Sequence, residues 1–183
     1  MKVIVFLAEG FEEVEALTTV DYLRRKGIVV DTVSITSDKE VKGAHQVTVL
    51  ADKIIDEITD LDSYDGVIIP GGIPGATNLR DHSRVVEIVK TLYDKGKLAA
   101  AICAGPIVLE RAGIIKGKKV TSYPGFEGDL KDGIYEEERV VVDGNMITAR
   151  GPAIAVDFAI EIIKYLLGAE KAEELKKDIL YNK

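Results

Sequence analysis

The chain has no tryptophan, one cysteine, two histidines and one glutamine, Gln46, in 183 residues. A single cysteine, Cys103, excludes an intramolecular disulfide framework and a zinc ribbon, both of which need several sulfurs. Two histidines, His45 and His82, leave little material for a transition-metal site, so no metal is expected. Positive charge is also short. Lys and Arg number 24 against 31 Asp and Glu, a net charge of −7. That balance argues against nucleic acid, which calls for a basic face. No stretch is long enough to span a membrane. The opening apolar run from Val3 to Ala8 is too short for a signal segment and meets Glu9, Glu12, Glu13 and Glu15 at once. A reducing cytoplasm is the expected address. Few glutamines and asparagines beside abundant lysine and glutamate lean towards a thermophilic source.

What is present describes a globular chain. Hydrophobic residues make up 46% and charged residues 30%, and 183 residues suit one domain over 1–183. The organising stretch is Leu98-Ala99-Ala100-Ala101-Ile102-Cys103-Ala104-Gly105-Pro106. An apolar run ends in the only cysteine, small residues and a proline follow, and an apolar stretch reopens. A strand, a sharp turn and a helix read this way. Ala101, Ala104 and Gly105 leave room for a nucleophile elbow carrying sulfur. A thiol there meets a helix N-terminus, which favours the thiolate. The alternative is a small buried hydrophobe, and the stretch alone leaves both open.

Along the chain, Lys2–Leu7 reads as a buried strand and Glu12 opens a helix with Val14, Leu17 and Val20 on one face, closed by Gly27. Ile28–Ile35 is a second strand. Val41 and Val47–Leu50 read as short strands, and Ala51–Leu61 as a short helix and loop. Tyr64–Ile69 is a strand ending in Pro70-Gly71-Gly72-Ile73-Pro74-Gly75. Val85, Ile88, Val89 and Leu92 keep helical spacing up to Gly96. Lys118–Ser122 is a short strand, and residues 124–133 are loop or a short helix. Residues 135–139 are a solvated charged rim. Asp143-Gly144-Asn145 joins two strands as a hairpin. Arg150-Gly151-Pro152 opens a strong helix that Gly168 stops, and a polar helix closes the chain. Alternating strands and helices specify an α/β fold with a mostly parallel sheet.

In such a sheet ligands bind beyond the carboxyl ends of the strands. Residues 9–15, 70–75, 103–106 and 150–152 all follow strands, so one cleft lined by all four is expected. Glu15 sits beside Val14 and Leu17, although Glu12 and Glu13 already serve the helix dipole. If buried, its carboxyl would be held protonated by desolvation and could donate a hydrogen bond to a thiolate. Gly71 and Gly72 either make a turn or let backbone N–H groups approach a reacting oxygen. Arg150 reads as a structural ion-pair partner ahead of a direct catalytic role. Tyr123 reads as a core or surface tyrosine, or as a polar group at the cleft mouth. No P-loop ending or dinucleotide fingerprint is present. A flavodoxin-like nucleotide binder has only fold-level support.

These segments resemble the ThiJ/PfpI superfamily, nearest the branch of the parkinsonism-associated protein deglycase and YajL-type relatives. The resemblance rests on Leu7–Glu15, Ile69–Gly72, Gly75–Leu79, Ala100–Pro106 and Thr148–Pro152, in order across nearly the whole chain. It implies a flavodoxin-like three-layer sandwich and a homodimer. It implies that Cys103 is an oxidisable nucleophile, that Glu15 is the protonated acid beside it, and that the N–H groups of Gly72 and Ala104 hold an oxyanion. Gly71, Tyr123 and Arg150 would line the cleft. Peptidase and chaperone branches resemble Cys-His-Gly-Pro at the elbow; here Ala104 follows Cys103, which disfavours a peptidase. Class I glutamine amidotransferases need a later histidine, and none follows His82. Tyr123 stands where the deglycase branch often carries histidine, and Gly43 and Leu50 replace cysteines of some relatives. His45 lies in a segment that approaches the partner subunit in relatives, although a surface-loop histidine is the simpler account.

The implied activity is conversion of α-oxoaldehydes such as methylglyoxal to lactate, or removal of early glycated adducts, with no cofactor. The alternative is a redox-sensing stress protein or chaperone in which Cys103 oxidises to the sulfinate.

Overall fold

The computed structural model describes residues 1–181. The chain opens with strand β1 (Lys2–Leu7) and helix α1 (Glu13–Arg25), with Glu12 as N-cap. Strand β2 (Val29–Ser34) follows, then a hairpin of β3 (Glu40–Lys42) and β4 (Thr48–Leu50). Residues 51–61, expected as a short helix and loop, hold a two-residue strand, β5 (Lys53–Ile54), and a single 3-10 turn, Ile55–Glu57. Pairing of Val33 with Lys53 on the free edge of β2 draws this segment into the sheet.

Strand β6 (Gly66–Ile69) leads to helix α2 (Gly75–Asp81), where the sequence pattern marks no element, and helix α3 (Ser83–Asp94). His82 caps α3, its Nδ1 accepting from the Val85 N–H at 3.4 Å. Strand β7 (Leu98–Ile102) feeds helix α4 (Pro106–Arg111), whose proline takes the first turn, where no backbone donor is needed. Short strands β8 (Lys119–Val120) and β9 (Ile134–Tyr135) pair in a separate two-stranded sheet. The expected hairpin is β10 (Val140–Asp143) and β11 (Met146–Ala149). A 3-10 turn at Pro152–Ile154 opens α5 (Ala155–Leu167), and α6 (Ala169–Asp178) follows.

The central sheet has the order β10-β11-β7-β6-β1-β2-β5, parallel except for β10. Alternate residues of each strand enter opposite cores. Ile4, Phe6, Ile69, Ala99 and Ala101 pack on the side of α2, α3 and α4. Val3, Val5, Leu7, Ile68, Ala100 and Ile102 pack on the side of α1, α5 and α6. Both faces are covered, which is why β1 and β7 read as continuous apolar runs. The result is the three-layer, flavodoxin-like α/β sandwich.

One expected face is corrected. Ala16, Thr19, Val20 and Leu23 of α1 face the core, whereas Val14 and Leu17 are 52% and 37% exposed. Turning Val14 and Leu17 out turns Glu13 and Glu15 in, and both acids are buried. The order of strands reverses at β1, which has β2 on one side and β6 on the other. The crevice at such a switch point lies at the carboxyl ends of β1 and β6.

Candidate active site

Cys103 sits at the carboxyl end of β7 with φ +63°, in the left-handed region. A non-glycine residue there stores strain of about 1–3 kcal/mol and persists only when its surroundings fix it. Both of its backbone groups are fixed. The Cys103 N–H donates to the Ala149 carbonyl and its carbonyl accepts from the Tyr123 N–H, each at 2.9 Å. The strand, the sharp turn and the helix expected around this cysteine are present. The thiol is partly buried.

Glu15 comes from α1 and is fully buried. Its Oε2 accepts the Gly71 N–H at 2.7 Å, and its Oε1 has no partner. Gly71 marks where the elements meet. A Cβ at that residue would lie 2.6 Å from Cys103 Cβ, 2.7 Å from Glu15 Oε2 and 3.0 Å from the Ala104 nitrogen. Gly72 has φ +87°, and a Cβ there would stand 2.4 Å from the Glu12 nitrogen. Neither position has room for a side chain, so the Gly71-Gly72 loop lies directly against the thiol. The N–H groups of Ala104 and Gly72 both act on the sulfur.

The electrostatics follow from this packing. Burial pushes Glu15 up to about 7, against the lowering effects of the Gly71 N–H and the Cys103 thiol. Burial, then the Glu15 charge and hydrogen bond, push Cys103 up to about 12, while the Ala104 and Gly72 N–H groups pull it down. The expectation that the helix N-terminus favours the thiolate is overturned: burial and the neighbouring carboxylate raise the thiol, and the N–H groups that lower it, of Ala104 and Gly72, lie outside α4. Because Glu15 opposes the thiolate only when charged, the two groups titrate as one unit. A proton kept on Glu15 removes the charge that opposes ionisation of Cys103.

The remaining residues form two further groups. Tyr123 and Arg150 line a shallow, mostly apolar groove of about 320 Å³ with Pro124, Gly151, Pro152 and Ala153. Tyr123 is 47% exposed, which excludes the core reading, and the groove it lines with Arg150 does not include Cys103, Glu15, Gly71 or Gly72. Arg150 donates from Nη1 to the Glu137 carbonyl at 3.2 Å and makes no ion pair among the described residues, contrary to expectation. The other group was not legible in the sequence. Glu13 Oε1 accepts from the His45 N–H at 2.7 Å and the Val47 N–H at 3.4 Å, and its Oε2 lies 2.9 Å from His45 Nδ1. Burial raises Glu13, but these bonds outweigh it and hold the carboxyl below its usual range. Glu12 Oε2 stands 3.5 Å from the same ring nitrogen. The oxygens of Glu13 are engaged by the loop, so the group is an anchor for the β3–β4 hairpin.

A family model described as the DJ-1/PfpI family matches residues 1–165. "Protein DJ-1alpha" of Drosophila melanogaster is 39% identical over 181 residues, covering 97% of this chain and 83% of that protein. "Parkinson disease protein 7 homolog" of Danio rerio is 37% identical over 182 residues, covering 98% and 96%. Among solved structures, oxidized Toxoplasma gondii DJ-1 superposes with TM-score 0.92 at 37% identity, covering 98% of each chain. A DJ-1 superfamily protein of Salmonella typhimurium, solved as a cysteine-to-alanine mutant, gives TM-score 0.93 at 33% identity over 98% of each chain.

Proposed function

This chain belongs to the DJ-1/PfpI family, and from that premise we propose that it is a cofactor-independent thiol enzyme for reactive α-oxoaldehydes. Methylglyoxal is the simplest substrate and lactate the product; early glycated adducts offer the same carbonyl chemistry. The observation that carries the reading is Glu15, a buried carboxyl with one unpartnered oxygen, packed with Cys103 against Gly71 so closely that no Cβ would fit there.

The thiolate of Cys103 adds to the aldehyde carbon, forming a C–S bond and placing the electron pair on the carbonyl oxygen. The N–H groups of Gly72 and Ala104 stabilise that oxyanion. Glu15, protonated, gives its proton to the oxygen. As carboxylate it then removes the proton on the sulfur-bearing carbon, giving an enediolate, and returns it to the neighbouring carbon while the hydroxyl proton passes to the neighbouring oxygen. The product of this shift is a lactoyl thioester. Water cleaves it to lactate and releases the Cys103 thiol. No metal, glutathione or nucleotide enters. Glu15 near neutrality suits both the giving and the taking of a proton.

Lactate formed from methylglyoxal without glutathione, and lost in Cys103→Ala, is the test. Equal activity in that variant would end the enzyme reading. A second reading, a redox-responsive stress protein, is favoured by the oxidized state in which the Toxoplasma gondii relative was solved. In it two equivalents of peroxide, reduced to water, oxidise Cys103 through the sulfenate to the sulfinate, held by the same N–H groups and Glu15. A peptidase reading stays disfavoured because Ala104, not histidine, follows Cys103.

The assembly proposed is a homodimer. Val14 and Leu17 on α1, with Val47 and Leu50 beside the hairpin, are exposed apolar side chains that a second copy would cover. No described helix is long and apolar enough to cross a membrane. The cytoplasm is the proposed address, since it keeps a lone thiol reduced.

A further inference from the structure

We propose that Glu12, Glu13 and His45 form a binding site for one divalent transition-metal ion of the zinc class, which fastens the β3–β4 hairpin loop to the start of α1. The cluster includes neither Cys103 nor Glu15, so the inference is independent of the thiol chemistry.

The sequence offers little for such a site, because it has only two histidines. One is enough where two carboxylates converge on it. His45 Nδ1 stands 2.9 Å from Glu13 Oε2 and 3.5 Å from Glu12 Oε2. One ligand atom from each of the three residues lies within 4.8 Å of the other two. A tetrahedral zinc ion, with bonds of about 2.0–2.2 Å, sets its ligands about 3.4 Å apart, so a shift of about half an ångström by the exposed imidazole would admit it. Three protein ligands leave the fourth position to water, as in open zinc sites. Calcium and magnesium are poorly served, because they take oxygen-only shells of about six or more ligands.

The cluster is also built and charged as a cation site. Glu13 is clamped. A Cβ at Gly43 would lie 2.3 Å from its Oε1, and the same oxygen accepts the His45 and Val47 N–H groups. Its Oε2 is left facing the imidazole. Ligating carboxylates are held by outer hydrogen bonds in this way. Glu12 is the N-cap of α1, yet its side chain makes no capping hydrogen bond, and its carboxylate lies against His45 instead. The side chains of Glu12 and Glu13 are 15% and 8% exposed, and among the described residues no lysine or arginine pairs with either. Charges covered to that degree are paired or coordinate metals. A protonated His45 would offset one of the two negative charges and leave the other, whereas a divalent ion offsets both. The backbone already joins loop and helix beside the three ligands, since the Ala44 N–H donates to the Phe11 carbonyl at 2.9 Å.

The probe is Zn²⁺, titrated calorimetrically into the untagged full chain, both the parent and Cys103→Ala, which removes the competing thiol. The expected result is one ion per chain that both share. Loss of an outer hydrogen-bond partner costs about 10–100-fold in metal affinity, so Glu12→Gln and His45→Ala, which each remove a direct ligand, should cost at least that. Co²⁺ in Cys103→Ala should give the strong visible bands of a tetrahedral ion. Zn²⁺ should raise the Tm of Cys103→Ala by mass action and leave the same chain carrying His45→Ala unmoved. Absence of binding with micromolar Zn²⁺ would overturn the proposal, and so would binding that persists unchanged in His45→Ala. Equal affinity for Mg²⁺ or Ca²⁺ would reduce the cluster to an acidic patch and overturn it as well. His45 is 70% exposed and Glu12 makes no side-chain cap, so neither variant removes a core contact. The titration needs no turnover, so a parent protein that ignores methylglyoxal would sink the enzyme reading and leave this result untouched.

Discussion

Replacing Gly71 by alanine is the sharpest steric perturbation available at the site. The added Cβ would sit 2.6 Å from Cys103 Cβ, 2.7 Å from Glu15 Oε2 and 3.0 Å from the Ala104 nitrogen. Non-bonded heavy atoms prefer about 3.5–4.0 Å, so something must move by about 1 Å. None of the three neighbours is the loose end of a flexible chain. Cys103 is pinned through both backbone groups, Ala104 belongs to the turn, and Glu15 is fully buried. A misplacement of that size costs about 100-fold in turnover, and overpacking costs about 1–3 kcal/mol in stability. The assay is lactate formation beside Cys103 alkylation and urea denaturation. Gly128→Ala is the control, because a Cβ there meets nothing within 4 Å. Turnover in Gly71→Ala within about twofold of the parent would refute the packed geometry of the pair.

Glu15 also makes stability depend on pH. Its folded-state value, about 7, lies above the ordinary 4.5, so the folded chain binds the proton more tightly. The contribution is full below the ordinary value and is lost as pH rises through about 7, a difference on the order of 3 kcal/mol. Urea midpoints measured across this range should fall with rising pH, and the fall should flatten in Glu15→Gln. Leu17→Glu, placed on the exposed face of α1, should convert a dimer of the 19.9 kDa chain to monomer by light scattering, with Cys103 alkylation unchanged. Phe6, fully buried in the core, should cost about 3–5 kcal/mol as alanine by denaturant unfolding. Mild peroxide should add two oxygens at Cys103 in intact-mass spectra; their absence would remove the redox reading.

The layers were legible because both faces of β1, β6 and β7 are covered, so apolar runs alternate with helical spacing. Cys103 was legible because Ala104-Gly105-Pro106 is an unusual sequel to a buried strand. Glu15 was legible as an acid with no dipole left to serve. The rest depended on what packs against what. Periodicity marked Val14 and Leu17 as an apolar face but could not say whether the core or another surface meets it. Glu13 looked like one more helix-cap acid, and only the hairpin loop shows that its carboxylate ties down His45 and Val47. Helix α2 begins inside a Gly-Pro stretch whose local signals read as a turn. The balance at Cys103 between burial beside Glu15 and the N–H groups of Ala104 and Gly72 is a matter of degree that sequence spacing does not carry.

The most direct measurement compares Glu15→Gln with the parent in two assays, methylglyoxal turnover without glutathione and Cys103 alkylation. The amide keeps the shape of the carboxyl but can neither give nor take the proton, and it removes the charge that opposes the thiolate. The expected result is loss of lactate formation with alkylation equal to or faster than the parent. Full lactate formation by Glu15→Gln would contradict the shared-proton pair on which the proposed chemistry depends.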